Sequence, residues 1–513
     1  MIKELQLQVL PEQASKPKLL INIVAEKLQI KEVDITHLEI LKRSVDARQR
    51  VIKINLKLKV FLSEKYVKSK SELPIYKNAN GKEEVIIVGA GPAGLFAALK
   101  LLEKGKKPIV IERGKTIQDR RKDIAKLTKE HVVNEDSNYC FGEGGAGTFS
   151  DGKLYTRSKK RGDVNKILDI LIVHGANPEI KVDAHPHIGT DKLPQIIQNI
   201  RETILEYGGE ILFNSRVIDM ILKNNKIDGV KLLSDDIINS DKVILATGHS
   251  ARDVFELLYK KEIEIQAKAF ALGVRVEHTQ ELIDQIQYKC ESRGEYLPPA
   301  PYSVAKQVNG RGVYSFCMCP GGIIAPCATN PGEVVTNGWS PSRRDFKTSN
   351  SGIVVELKLE DFDKYEEFGP LSGMEFQKEI EQKAWKLAGK TQKVPAQRLV
   401  DFTNKKLSSD IPETSYIPGT STLKLSDILP KFVNENLQEG FKQFGKQMKG
   451  YLTNEAVVHA PESRTSSPIR IPRDKDTFQH PQIKGLFPCG EGAGYAGGIM
   501  SAAIDGEKCA EKC

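Results

Sequence analysis

The sequence has little cysteine, few aromatic residues and no long uninterrupted apolar run. Its eight cysteines are scattered over 513 residues, apart from a CMC at 317–319, so they do not form the framework of a disulfide-stabilised secreted protein. The most apolar window, 85–102, is a poor membrane span because it contains three glycines, a proline and Lys100. The N-terminal residues lack the apolar centre of a secretory signal. These absences predict a cytoplasmic protein without a membrane span.

The length and composition are those of a multidomain globular protein. A chain of 513 residues exceeds what one hydrophobic core usually organises, so two or three domains are expected. The formal net charge is +9, and residues 1–80 hold 16 Lys and Arg against 9 Asp and Glu. This excess is typical of a solvated basic surface, and it leaves RNA or another polyanion open as a partner.

Residues 1–78 are predicted to form a small basic α+β domain. Apolar and polar residues alternate over 52–62, IKINLKLKVFL, which indicates a strand with one buried face. Helices are predicted near 23–29 and 34–47. The polar stretch at 77–84, KNANGKEE, is typical of a linker.

Residues 84–114 have the pattern of a βαβ unit: an apolar strand, a glycine turn, a helix and a second apolar strand. Gly89 permits the tight turn, Gly91 lets a pyrophosphate approach the backbone, and Gly94 lets the helix pack closely on the strand. The phosphates would lie at the N-terminus of the helix. Glu112 follows the turn at the spacing expected for an acid that binds ribose hydroxyls. This context predicts one tightly held dinucleotide, and NAD and FAD both fit the unit by itself.

The remaining chain predicts a layered domain into which a second domain is inserted. A helical pattern near 191–207 precedes a β-meander with Asn-Asn and Asp-Gly turns, and then the buried strand KVILATG. We expect a discontinuous dinucleotide-binding domain at 79–262 and 455–513. The segment 263–454 mixes strand and helix patterns and is expected to be a substrate or cap domain.

Several stretches resemble uncharacterised bacterial FAD-dependent dehydrogenases. These belong to the flavoproteins with two dinucleotide-binding domains, in which the FAD domain is glutathione-reductase-like. The matching stretches are VIIVGAGPAGLFAALKL, FGEGGAGTFSDGKLYTR, ILATGHSARD, FCMCPGGII, ESRTSSPIRI and LFPCGEGAGYAGGIMSAAIDG. The resemblance extends from the glycine turn almost to the C-terminus, and LKRSVDARQR resembles the small N-terminal domain of the family. It implies FAD as the cofactor and the α/β class, with a Rossmann-like FAD-binding domain (parallel sheet plus β-meander), an inserted mixed α+β domain and a small N-terminal α+β domain.

The resemblance also implies a set of cofactor contacts. The pyrophosphate would lie against the glycine turn, the adenosine ribose against Glu112, and the adenine edge against the backbone of Val217. Gly490 and Glu491 match the pair that binds the ribityl chain or the pyrophosphate. The implied set in this part of the chain is Gly89, Gly91, Pro92, Ala93, Gly94, Glu112, Arg113, Val217, Thr247, Gly248, Gly490 and Glu491.

An FAD molecule is too long for one βαβ turn, so a distant segment must hold its flavin end. The C-terminal stretch predicts a last strand followed by glycines and a helix beginning near Gly498, with Gly497 and Ile499 beside the ring. The positive end of that helix would stabilise the anionic charge of reduced flavin. An incidental strand-to-helix turn is the alternative interpretation.

The glycine-rich loop FGEGGAGTFSDG, at 141–152, is expected to cover the other side of the flavin. Its candidate contacts are Gly144, Gly145, Thr148 and Ser150. A flexible surface loop is the alternative.

Cys317 and Cys319 are the most prominent catalytic candidates. On a regular strand, residues i and i+2 lie about 6.5 to 7 Å apart, which is too far for an unstrained disulfide. Three interpretations stay open: buried structural cysteines, a substrate-facing or nucleophilic thiol, and a metal set with Cys327. The first is preferred, so no metal site is expected.

Other polar residues are weaker candidates for catalysis or substrate binding. His185 and His187 are predicted to share one strand face, and Arg275 follows the start of a strand in the inserted domain. Each could be an acid, a base or an anion clamp, or a structural polar residue. Arg464 and Arg470 precede the last strand and are candidates to hold the substrate or the flavin edge.

The sequence therefore predicts an FAD-dependent oxidoreductase that transfers a hydride between a small organic substrate and flavin N5. NAD(P)H is open as a transient electron donor, because no second nucleotide-binding fold is visible. Two alternatives stay open: a flavoenzyme that modifies tRNA through its basic N-terminal domain, and a non-catalytic flavin redox sensor.

Overall fold

The computed structural model describes residues 1–67, 74–155 and 162–513. Its strands are β1 (Ile2–Val9), β2 (Ile35–Asp46), β3 (Lys53–Leu62), β4 (Glu84–Val88), β5 (Lys107–Ile111), β6 (Glu210–Leu212), β7 (Val217–Lys223), β8 (Lys226–Leu232), β9 (Ile237–Asn239), β10 (Val243–Leu245), β11 (Gln266–Ala267), β12 (Ala271–Thr279), β13 (Ala305–Val308), β14 (Arg311–Cys319), β15 (Ile323–Pro326), β16 (Thr336–Trp339), β17 (Thr348–Glu356), β18 (Val394–Arg398), β19 (Thr420–Thr422), β20 (Val457–Glu462), β21 (Ile469–Arg470) and β22 (Leu486–Pro488).

The helices are α1 (Pro11–Ser15), α2 (Pro17–Leu28), α3 (Pro92–Lys104), α4 (Ile117–Glu130), α5 (Val164–Val173), α6 (Leu193–Glu206), α7 (Arg252–Lys260), α8 (Gln280–Tyr288), α9 (Ser372–Leu387), α10 (Leu399–Thr403), α11 (Lys431–Gln447) and α12 (Ile499–Lys512). Shorter 3₁₀ segments include Gly145–Gly147, which lies in the glycine-rich loop. Among the described residues, none of the helices combines the length and the apolar character that crossing a bilayer requires.

The N-terminal residues form an antiparallel sheet in the order β1-β3-β2. The predicted strand at 52–62 is confirmed by β3, whose Leu56, Leu58 and Val60 are buried. The predicted helix at 34–47 is wrong, because that segment is β2. Its backbone pairs along the whole length of the central strand β3, and this pairing outweighs the helix-like spacing of its apolar residues.

A parallel sheet in the order β22-β10-β4-β5-β6 holds the glycine turn. Alternate residues of its strands face two separate apolar clusters. One face is covered by α3, α5, α6 and α12, and the other by α7 and the antiparallel sheet β7-β8-β9. The predicted strand-helix-strand unit is confirmed, and the C-terminal β22 lies beside β10 in the same sheet.

The predicted β-meander is confirmed, with Asn224 and Asn225 in the left-handed conformation at its first turn. The predicted Asp-Gly turn is wrong, since Asp228 and Gly229 lie within β8. The second turn instead contains Asp235, with a φ of 70°.

A second sheet has the order β13-β14-β17-β12-β20-β18-β19. It is antiparallel except between β18 and β19. The strand β20 lies in this sheet although it follows the expected boundary at 454. The chain therefore returns to the parallel sheet after Glu462, at a position that the local sequence pattern did not identify.

Candidate cofactor site

A cavity of about 430 Å³ lies at the carboxyl ends of the parallel strands. Segments distant in sequence line it: the glycine turn after β4, the end of β5, the loop after Phe141, the segment after β10, and the start of α12. The carboxyl edge of an open parallel sheet is where ligands bind in α/β proteins, and the volume lies within the usual range for small-molecule sites.

Backbone packing explains two of the three glycines in the turn. Gly89 has a φ of +106°, and a Cβ added there would lie 2.5 Å from the carbonyl oxygen of Ala246. A Cβ at Gly94 would lie 1.9 Å from the carbonyl oxygen of Gly89. Gly91 differs from both, because the nearest atom to an added Cβ is the Cα of Gly145, at 3.9 Å. The packing of the turn therefore does not require glycine at position 91. The missing side chain instead leaves the backbone there open to a ligand.

The N-terminus of α3 faces this opening. Gly91 is the N-cap residue and has no side chain to cap the helix, and Pro92 and Ala93 line the cavity. Backbone N–H groups of a first helical turn lack partners within the helix and attract anions. The arrangement fits the pyrophosphate of a dinucleotide.

Glu112 organises the loops around the turn. Its side chain is buried and accepts the backbone N–H of Ala90 at 2.8 Å and those of Gly114 and Gly142 at 2.9 Å. The carboxylate thus joins the glycine turn to the glycine-rich loop, a role that the sequence did not indicate. Glu112 also lines the cavity, and its predicted contact with a ribose stays a prediction.

Arg113 is held beside Glu112 by two carboxylates. It forms ion pairs with Asp136 at 3.0 Å and Asp253 at 2.8 Å, and it lies over the ring of Phe141. Burial lowers the pKa of Arg113, but the two carboxylates outweigh burial and raise it. The guanidinium therefore stays charged at the cavity wall.

The start of α12 provides the opposite end of the cavity. Among the residues that the structure describes, no atom lies within 4 Å of a Cβ added at Gly497 or Gly498. Both positions line the cavity, and Gly498, with a φ of +101°, is the N-cap of α12. Bare backbone beside open space is what close approach of a flat ring requires, so this end fits a flavin.

The strand β22 is joined to α12 by a buried ion pair. Asp505 in α12 accepts the guanidinium of Arg473 at 2.6 and 2.9 Å, and it also accepts the backbone N–H of Gly490 at 2.8 Å. Arg473 in turn donates to the carbonyl oxygen of Pro488 at 2.8 Å. These contacts fix the glycine-rich turn between strand and helix, and sequence reasoning missed both charged residues.

Most of the predicted cofactor residues line the cavity. They are Gly89, Gly91, Pro92, Ala93, Glu112, Arg113, Gly145, Ser150, Val217, Thr247, Gly248, Glu491, Gly497, Gly498 and Ile499. The candidates Cys317 and Arg464 line it as well. Their contacts with a cofactor or substrate stay predictions.

Four predicted cofactor residues, Gly94, Gly144, Thr148 and Gly490, do not line the cavity. Gly94 is needed for the packing of the glycine turn. Thr148 is buried and donates its hydroxyl to the carbonyl oxygen of Glu143 at 2.7 Å. A Cβ at Gly144 would lie 2.0 Å from that hydroxyl oxygen, so this glycine is needed inside the loop. The backbone N–H of Gly490 donates to the carboxylate of Asp505. The described contacts give these four residues a part in folding the turn and the loops and do not support direct binding.

The two histidine candidates lie outside the cavity lining. The segment that contains His185 and His187 is irregular, and an isolated bridge between His187 and Lys153 replaces the expected strand. The ring of His187 hydrogen-bonds the carbonyl oxygen of Ser342 at 3.0 Å. Burial and the nearby Arg344 lower the pKa of His187.

The arginine candidates are held by internal partners. Arg275 is fully buried and forms a two-point ion pair with Glu462 at 2.8 and 2.7 Å, which argues against a free anion clamp. Arg464 lies at the cavity wall but pairs with Glu333 and Glu381 at 2.9 Å. Arg470 is exposed and lies over the ring of Tyr495, away from the cavity.

The structure adds Lys153 to the site. Its Nζ lies 3.6 Å from the Sγ atoms of both Cys317 and Cys319 and 3.5 Å from Asp151. The strand β14 has an irregular register between Phe316 and Cys319, so the regular strand spacing assumed for the two cysteines does not apply. The sequence did not indicate Lys153 because its two cysteine partners are more than 160 residues away.

The described residues do not support a metal set of Cys317, Cys319 and Cys327. The group with suitable spacing is Cys489, Asp505 and Cys509, whose ligand atoms lie within 4.8 Å of one another. Arg473 already pairs with that carboxylate and donates to the Cys509 sulfur at 3.3 Å.

Comparisons with known proteins agree with this geometry. Residues 83–289 match the family described as pyridine nucleotide-disulphide oxidoreductase, and residues 269–465 match the family described as FAD-dependent protein, C-terminal domain-like. Residues 1–61 match a domain of unknown function. An uncharacterized protein of Clostridium beijerinckii is 41% identical over 507 residues, which cover 95% of this chain and 94% of that protein.

More distant similarities are partial. A thiamine thiazole synthase of Methanococcus vannielii is 28% identical over 191 residues, which cover 35% of this chain and 61% of that enzyme. The solved glycine oxidase of Bacillus cereus is 12% identical with a TM-score of 0.32, over 84% of this chain and 94% of that one. The L-proline dehydrogenase of P. horikoshii is 14% identical with a TM-score of 0.33, over 85% and 93%.

The parallel sheet, the cavity and the matched families define an FAD-dependent oxidoreductase with a Rossmann-like dinucleotide-binding fold. FAD is its cofactor. Within this class, the chain belongs to the bacterial family that includes the Clostridium beijerinckii protein. The prediction of an RNA partner stays a prediction.

Proposed function

We propose that the protein transfers a hydride between a small organic substrate and the FAD held in this cavity. The single observation that supports the proposal is one continuous cavity between two helix N-termini. The N-terminus of α3 lies at the glycine turn, and that of α12 lies at Gly497 and Gly498. Bound FAD supplies the site that accepts or gives the hydride.

Different residues of the chain would bind different parts of the FAD molecule. Gly91 and the first turn of α3 would hold the pyrophosphate, and Glu112 would accept a ribose hydroxyl while it fixes the glycine turn. The bare backbone at Gly497 and Gly498 would admit the ring, and the positive end of α12 would stabilise negative charge beside it.

Polar groups beyond the glycine turns are candidates for substrate orientation. Lys153, Tyr155 and Asn337 line the cavity. Burial lowers the pKa of Lys153, but Asp151 and the two cysteines outweigh burial and raise it. The ammonium therefore stays protonated near neutral pH, so it would stabilise a negatively charged group and would not accept a proton.

Visible absorption of the purified full chain tests both parts of the proposal. We expect a yellow protein whose flavin absorbance bleaches anaerobically with one class of reductant among NADH, NADPH, amino acids and hydroxy acids. Bleaching by a nicotinamide would identify the electron donor, and bleaching by a small acid would identify the substrate class. A folded, colourless protein that does not bind added FAD would contradict cofactor binding. A yellow protein that dithionite reduces but none of these reductants does would contradict the proposed hydride transfer.

A further inference from the structure

Two cysteines share one cation at the wall of the cavity. The Nζ atom of Lys153 lies 3.6 Å from Cys317 Sγ and 3.6 Å from Cys319 Sγ. Cys317 is half-buried and lines the cavity, whereas Cys319 is fully buried behind it. The sulfur of Cys317 is thus accessible to a small molecule. The sulfur of Cys319 contacts the same ammonium group but is shielded from the cavity.

A bulge in β14 produces this arrangement. Phe316 pairs with Gly352, and Cys319 pairs with Asn350. Between these two pairs β14 has one more residue than β17. Cys317 has a φ of +50°, in the left-handed region that non-glycine residues rarely adopt. A bulge bends its strand and re-aims side chains. The two cysteine side chains therefore lie around Lys153 and are not spaced as on a flat strand.

The surrounding charges favour a thiolate on the accessible sulfur. A hydrogen bond from Cys319 lowers the pKa of Cys317, and Lys153 and Arg275 lower it further against the effect of burial. The same hydrogen bond and burial raise the pKa of Cys319. Asp151 opposes the thiolate, but it is held by Arg344 at 2.8 Å as well as by Lys153. All these groups belong to elements packed around the pair.

We propose that Cys317 and Cys319 form a redox-active dithiol that opens into the cofactor cavity and exchanges with small disulfides. Cys317 is the attacking residue, Cys319 is the resolving residue, and Lys153 is the positioning residue that stabilises the thiolate. The proposal goes beyond the proposed function and does not depend on it, because thiol exchange requires no flavin.

The exchange needs only the dithiol and one small disulfide, and no other oxidant or reductant. The thiolate of Cys317 attacks one sulfur of a small disulfide, forms a mixed disulfide and releases one small thiolate. Cys319 then gives its proton to the released thiolate, and its sulfur attacks the Sγ of Cys317. The internal disulfide forms, and the second small thiolate leaves. Two small thiols reverse both steps and restore the dithiol.

Alkylation of the native, FAD-containing full chain tests the first step. Peptide mass spectrometry after brief iodoacetamide treatment between pH 5.5 and 9 would give a rate for each cysteine. Cys317 is expected to react about tenfold faster at pH 6.5 than the half-buried Cys290, which lies outside the cavity lining. Lys153→Met is expected to slow Cys317 about tenfold at this pH, while Lys153→Arg keeps the charge and most of the rate.

Oxidation with 2-hydroxyethyl disulfide tests the second step. The wild-type chain is expected to yield an internal Cys317–Cys319 disulfide that dithiothreitol reverses, and Cys319→Ser is expected to stop at the mixed disulfide on Cys317. Cys290→Ser serves as the matched control and should behave as wild type. Equal alkylation rates of Cys317 and Cys290, or a persistent mixed disulfide in the wild-type chain, would overturn the proposal. Visible absorption of the same samples reports separately whether FAD is bound.

Discussion

The carboxylate of Glu112 accepts the backbone N–H of Ala90 at 2.8 Å, which ties the end of β5 to the glycine turn after β4. Its other oxygen accepts the N–H groups of Gly114 and Gly142. One buried side chain therefore positions three loops that line the cavity. The shape of the cofactor site depends on this acid even before any ligand binds.

Glu112→Gln should weaken both folding and FAD binding. An amide keeps one acceptor oxygen but turns an NH₂ group toward backbone N–H donors, so about 1 to 3 kcal/mol of unfolding free energy should be lost. FAD affinity should fall about tenfold or more, since that is the effect of 1.4 kcal/mol. Urea unfolding and fluorescence titration with FAD measure the two effects. Glu84→Gln, which replaces an exposed carboxylate whose partner Lys107 also pairs with Glu210, should change stability by less than about 1 kcal/mol. Wild-type affinity in Glu112→Gln would remove this acid from the binding site.

Gly91→Ala should separate binding from folding. The backbone of Gly91 has a φ of −77°, and an added Cβ has space in the protein itself, so stability should change by less than about 1 kcal/mol. The methyl group would occupy the approach to the first turn of α3, and FAD affinity should fall about a hundredfold, a cost of about 3 kcal/mol. Equilibrium dialysis with FAD and a thermal melt of the apoprotein measure the two quantities. Gly312→Ala, outside the cavity lining, is the matched control. Unchanged affinity would place the pyrophosphate elsewhere.

Asp505→Ala should destabilise the C-terminal end of the site. It leaves the buried Arg473 guanidinium without its carboxylate and the N–H of Gly490 without its acceptor. Removing one partner of a buried ion pair costs about 3 to 5 kcal/mol. Urea unfolding of the apoprotein measures the loss, and Lys512→Ala, an exposed change in the same helix, is the control. A loss below about 1 kcal/mol would mean that Arg473 finds another partner.

Glu277→Gln should flatten the dependence of stability on pH. Burial raises the pKa of Glu277 from 4.5 to about 7, although Ser415 donates to the carboxylate and opposes this shift. The unfolded chain loses this proton near pH 4.5, but the folded chain keeps it to about pH 7. Wild-type stability should therefore fall by up to about 3 kcal/mol as the pH rises from 4.5 to 7.

Urea unfolding of Glu277→Gln at pH 5 and pH 8 checks this expectation. The variant should gain stability relative to the wild type at the higher pH, since its neutral amide has no proton to lose. Glu366→Gln, at an exposed position, should show the wild-type slope. Parallel pH profiles for Glu277→Gln and the wild type would show that the carboxyl ionises normally.

The sequence by itself determined the dinucleotide-binding unit and the helix at the C-terminus. These follow from local rules: apolar strands beside a glycine turn, and a glycine that starts a helix. The segments at Val217 and Thr247 were placed at the cofactor by family resemblance, and Gly497 was placed there because FAD is too long for one turn; all three line the cavity. The helix predicted from local spacing at 34–47 was wrong, because that segment pairs with β3 as strand β2.

Only the tertiary structure decided which polar residues face the cavity. Lys153 meets Cys317, and Arg473 meets Asp505, because packing joins segments that are remote in sequence. The structure also showed that the guanidinium of Arg275 pairs with Glu462, and that the hydroxyl of Thr148 hydrogen-bonds within its own loop. Residue types and spacing specify a backbone path over one or two elements. The partner of a buried charge depends on how distant elements pack, and no local pattern encodes that.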